Sequence, residues 1–143
     1  VGSGSGGLFL ADTDAEAVAQ YQPLYEAIAA KLNAAHAGDT RKGKTMAFTT
    51  ISDAVEHGPA LVGTPARVAA KIVDYHRAYR HDVQSVSINP ALPYPQQQEV
   101  LSRFATEVIP LVRAELSTTL WSDADPGRAA GLRTDRVLSG QSS

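Results

Sequence analysis

The chain has 143 residues and a mass of 15.1 kDa, room for one modest domain. Hydrophobic residues make up 43% and charged residues 20%, with a formal net charge of -2, which permits a packed core and excludes a generally basic nucleic-acid binder. With no cysteine there is no disulfide scaffold, thiolate nucleophile or Cys-ligated metal, and no apolar run approaches the roughly 20 residues of a membrane span. The expectation is a soluble, cytoplasmic α/β protein with neither membrane nor nucleic acid as partner.

The Gly/Ser-rich start, Val1 to Gly7, reads as a flexible linker or an appended scar, because such composition loses much entropy on ordering. Leu8-Phe9-Leu10-Ala11 is an apolar run of strand length, the kind that parallel sheets cover on both faces. Thr13-Asp14-Ala15-Glu16 reads as a capping box, followed by the helical stripe Val18, Tyr21, Tyr25, Ile28 and Leu32 up to Gly38. Pro23 lies inside that stripe and predicts a kink or a late helix start.

Residues 39–58 form an excursion, basic at Arg41, Lys42 and Lys44 and weakly helical through Ile51, Ala54 and Val55. Ala60-Leu61-Val62 predicts a second short strand. Gly63-Thr64-Pro65 then supplies a turn, an N-cap and a first-turn proline for a helix with Val68, Ile72, Tyr75 and Tyr79 buried. Val83 to Asn89 alternates apolar and small polar residues, a third strand closed by Pro90. Pro95 opens a last helix whose Val100, Leu101, Phe104, Val108, Leu111 and Val112 share a face, bent near Pro110. Residues 1–116 are expected as one domain and 117–143 as a flexible tail. Strands alternating with helices imply a parallel sheet.

Several motifs compete for function. Gly2 to Gly7 contains the glycine spacing of a dinucleotide fingerprint, but an apolar strand follows where a helix is needed. Gly38 to Thr45 matches the P-loop pattern, with Lys44 for phosphates and Thr45 for magnesium, yet a helix end precedes it where a buried strand is required. His36, His57, His76 and His81 are dispersed, so no metal is expected. Neither Ser85 nor Ser87 lies in a nucleophile elbow, and no carboxylate pair stands out, so catalytic residues stay unassigned. The Gly63-Thr64-Pro65 turn is the feature of most interest, since a helix N-terminus at a strand end can receive an anion.

Ala60-Leu61-Val62-Gly63-Thr64-Pro65-Ala66-Arg67-Val68-Ala69-Ala70-Lys71-Ile72 resembles a recurrent segment of the luciferase-like monooxygenase superfamily. The resemblance extends upstream through Leu8 to Ala17 and downstream through Asn89-Pro90 to Phe104–Arg113. Ala66-Arg67 departs from it, standing where the family usually carries acidic residues, which leaves this helix start more receptive to an anion.

The resemblance implies a (β/α)8 TIM-barrel fold, here the last three βα units, and flavin-dependent oxidoreductase chemistry with FMN or a deazaflavin (F420). It implies that most cofactor-binding residues are absent from this chain, which is expected to be inactive without the rest of the barrel or a homo-oligomeric partner. Gly63, Thr64, Ser87 and Asn89 are the candidate lining of a pocket for a small-molecule substrate, and Arg41, Lys42 and Lys44 a candidate anion-binding or gating loop. A stand-alone α/β module that self-associates, or a nucleotide binder acting through residues 38–45, are the alternatives.

Overall fold

In a computed structural model, which describes residues 2–35 and 48–116, the chain opens on an extended path rather than a linker. Strand β1 (Gly2–Gly4) and strand β2 (Leu8–Leu10) lie along it. The glycine-rich start is thus ordered into the sheet, because the ladder it joins supplies what composition alone does not. Helix α1 (Asp14–Ala35) follows, then α2 (Ile51–Glu56), β3 (Leu61–Gly63), α3 (Pro65–Tyr79) and β4 (Val83–Ser85). A final helical run comprises α4 (Tyr94–Arg103), a π-helical turn over Phe104–Val108, and α5 (Ile109–Glu115).

All pairing is parallel: Gly2 to Gly4 beside Val83 to Ser85, and Leu8 to Leu10 beside Leu61 to Gly63. Loop hydrogen bonds join the two ladders. Gly6 N–H donates to Pro59 O at 2.9 Å and Leu61 N–H to Gly7 O at 2.8 Å on one edge; Ser5 N–H reaches Ser85 O at 3.1 Å and Leu8 N–H reaches Ser87 O at 2.7 Å on the other. Residues 2–11 are therefore the middle of a three-stranded parallel arrangement. An arc of a barrel would keep chain order and put Leu61–Gly63 in the middle. The order seen here, with the first strand central, is instead common in open α/β sheets.

Between its bonds to Ser85 and Ser87 the central path advances three residues, from Ser5 to Leu8, while its partner advances two. That extra residue is a β-bulge, and Gly7 at φ +137° carries it. Gly7 is needed twice over, since a Cβ there would lie 2.3 Å from the Tyr21 hydroxyl. Phe9 meets the Tyr21 ring at 5.7 Å between centroids, so this side of the central strand faces α1. Leu8 and Leu10 point to the opposite side by alternation and are also buried, so both faces are covered.

Helix α1 starts at Thr13, whose hydroxyl accepts the Glu16 N–H at 3.2 Å, as the capping pattern predicts. The helix is continuous through Pro23, with no late start. In α3, Val68 and Ile72 are buried as expected but Tyr79 is 70% exposed, because the helix ends there, with Arg80 in the left-handed conformation. The last helical run buries Val100 and Val108 and partly buries Phe104 and Val112, while Leu101 and Leu111 are exposed. The π turn explains this correction. Pro110 has no N–H to continue the ladder, and the wider turn before it keeps residues four apart in line where a regular helix would rotate them away.

The tail 117–143 and the basic loop at Arg41, Lys42 and Lys44, with the P-loop-like pattern, lie outside the described residues. Among the described residues, no helix is long and apolar enough to cross a membrane.

Candidate functional site

Three connections leave the carboxyl ends of the strands: Ala11 to Asp14 after β2, Gly63 to Arg67 after β3, and Val86 to Asn89 after β4. The first two are joined by a compact polar network. Thr64 caps α3 by accepting the Arg67 N–H on its hydroxyl at 3.3 Å. The Thr64 N–H itself donates to Asp14 Oδ1 at 2.7 Å. Arg67 Nη1 lies 3.3 Å from Asp14 Oδ2, and Arg67 Nη2 lies 2.8 Å from Glu56 Oε2. The bond from the Thr64 backbone N–H holds the Asp14 carboxyl below its ordinary value; partial burial opposes this, and Arg67 adds to the lowering.

The anion received by the α3 N-terminus is thus the chain's own Asp14 carboxylate. Gly63 enforces the contact: it sits at φ +154°, and a Cβ there would fall 2.8 Å from Asp14 Oδ1. Beside the network lies a groove of about 450 Å³ walled by Val18, Val55 and Val62, with Asp14, Glu56 and Arg67 among its polar lining. The sequence marks Arg67 as a departure that strips charge from the helix start. In the fold it brings charge back, by clamping two carboxylates.

Ser87 and Asn89 lie elsewhere. Ser87 is committed to the sheet: its N–H donates to Ser5 Oγ at 3.2 Å and its carbonyl accepts from Leu8. Its hydroxyl is on an exposed side chain. Asn89 is only 4% exposed; its Oδ1 accepts the Ala91 N–H at 2.9 Å, closing the turn at Pro90, while its Nδ2 is buried with no partner among the described residues. Asn89 adjoins Tyr21, whose hydroxyl pKa is raised by burial. Gly63-Thr64 and Ser87-Asn89 flank the central strand on opposite edges, two strand spacings or about 10 Å apart. They form two separate polar centres.

The sequence reading missed three contributors. Asp14 passes for an ordinary first-turn acid, and Tyr21 for a stripe residue. Asp12 reaches Arg103 Nη2 at 3.1 Å, tying the end of β2 to α4, a long-range pair with no local signal. Two of the histidines meet locally: His76 Nδ1 lies 2.7 Å from the His81 carbonyl, and the His81 ring is buried, while His36 lies outside the described residues. Among the described residues no three potential ligands gather to hold a metal ion.

A flavin phosphate needs a cluster of free N–H donors. Among the described residues the α3 start after β3 is filled by Asp14 and the α1 start after β2 is capped by Thr13, while the buried Asn89 Nδ2 stands across the central strand from Thr64. The described residues do not by themselves fit a flavin or deazaflavin. A family model described as luciferase-like monooxygenase matches residues 3–82, more than half of the chain. No curated protein matches it.

Proposed function

The chain belongs to the luciferase-like monooxygenase family, and from that premise we propose that it supplies one wall of a flavin- or deazaflavin-dependent oxidoreductase whose cofactor grip lies on other polypeptide. The match over residues 3–82 carries the reading; the parallel β/α units and the self-filled α3 N-terminus support it. When bound, FMN or F420 supplies the redox chemistry of such enzymes, and the protein's share is to bind, orient and shield. On this reading the Asp14–Thr64–Arg67 network stiffens the ends of β2 and β3, while Asn89 after β4 and Tyr21 over the central strand present buried polar groups. The partial barrel belongs to the same proposal. The strand order described above is that of the isolated chain; in the assembled barrel residues 83–88 would leave the 2–8 edge and pair beside Leu61–Gly63.

The isolated chain is then inactive, and complementation tests this. FMN and F420 are titrated by fluorescence into the 143-residue chain, and into its mixture with the N-terminal strand–helix units of a luciferase-like enzyme. Saturable binding in the mixture alone is expected. Saturable binding by the isolated chain, or none in the mixture, overturns the proposal.

A further inference from the structure

The last helical run lays α5 beside α3 and leaves a mostly apolar groove of about 390 Å³ between them. Ala66, Ala69, Ala70 and Val73 of α3 line one side, and Leu111 and Ala114 of α5 line the other. Leu111 is 45% exposed there. No strand residue lines the groove, so strands that complete the sheet in the proposed function do not enter it. Glu115 pairs with Arg77 at 3.2 Å, which sets the end of α5 at the Arg77 end of the groove. Leu116 has left the helix in an extended conformation, and residues 117–143 continue from that point.

We propose that the chain's own Leu120-Trp121 turns back into this groove, covering Leu111 and seating the indole over the α3 side between Val73 and Ala66. The distances suit it. From Arg77 back to Ala66 along α3 is about 16 Å, and Ser117 to Trp121 spans about 16–18 Å when extended. Leu120 and Trp121 are the only large apolar residues within that reach; the next, Leu132, comes after Pro126-Gly127. A seated indole removes roughly 150–250 Å² from water and can keep its N–H at the polar rim. The tether from Ser117 to Thr119 holds the pair near the groove at an effective concentration of about millimolar, so a second copy or a foreign side chain competes only near that level. None of this depends on the flavin reading, and the test below involves neither cofactor nor other polypeptide.

Trp121 is the chain's single tryptophan, so its fluorescence reports this contact alone. In the 143-residue chain its emission should lie to the blue of the urea-unfolded chain, with acrylamide quenching several-fold weaker. Both should be the same at about 1 µM and about 100 µM, well below the tether's effective concentration. Ala70→Glu puts a carboxylate into the groove from an exposed helix position and should return emission and quenching to the unfolded values, whereas Ala70→Ser should leave them as in the parent. Unchanged circular dichroism checks that the fold survives each substitution. A parent tryptophan quenched as freely as in the unfolded chain overturns the proposal. So does shielding that appears only as concentration rises, which assigns the groove to a second copy, or shielding indifferent to Ala70→Glu, which puts the indole elsewhere.

Discussion

Substituting Gly7 by alanine attacks the joint between the central strand and α1. Two penalties add. At φ +137° a side chain enters a region nearly reserved for glycine, at about 1–3 kcal/mol. The new methyl would also lie 2.3 Å from the Tyr21 hydroxyl and 3.1 Å from the ring carbon bearing it. Tyr21 is buried against Phe9 and cannot swing aside, so overpacking adds about 1–3 kcal/mol. The sum, about 2–6 kcal/mol, is a large part of a small domain's stability. Urea denaturation of Gly7→Ala, Tyr21→Phe and the double variant separates the penalties. Removing the hydroxyl should return about 1 kcal/mol or more of the steric part and none of the backbone part. If Gly7→Ala lies within about 0.5 kcal/mol of the parent, or the double variant costs the plain sum, the bulge and its contact with Tyr21 are wrong.

Thr64→Ala removes the α3 cap and should cost about 1 kcal/mol in the same denaturation assay. Arg67→Ala should cost under about 1 kcal/mol, since its ion pairs are two-fifths or more exposed, and added salt should shrink even that. Because the Asp14 pKa is depressed in the fold, its stabilisation is complete above the unfolded value of 3.8 and lost as pH falls below it. Thermal melts from pH 5 downward should therefore fall more steeply for the parent than for Asp14→Asn. Val108→Ala, at the fully buried last residue of the π turn, should cost about 2 kcal/mol.

Local chemistry made much of this fold legible. The Thr13 and Thr64 caps, the short apolar strands and the α2 residues Ile51, Ala54 and Val55 all stand where their pattern puts them. What escaped depends on contacts distant in the chain. Gly2 to Gly4 has no strand-forming side chains and becomes a strand because Val83 to Ser85 offers a ladder. Leu101 and Leu111 follow a helical period that the turn before Pro110 breaks. Gly63 and Thr64 were recognisable as a helix start, but the carboxylate they receive comes from a residue fifty positions earlier. Ser87 and Asn89 carried the right chemistry for a polar pocket; strand order, which no pattern encodes, puts them across the central strand from Thr64.

That order is the claim on which the two separate polar centres rest, and nuclear Overhauser contacts between strand α-protons and amides read it directly. For the isolated 143-residue chain the account predicts contacts from Gly4 to Ser85 and from Phe9 to Val62, with none between residues 61–63 and 83–87. Contacts between those last two segments, with Gly2 to Gly4 left unpaired, would contradict it.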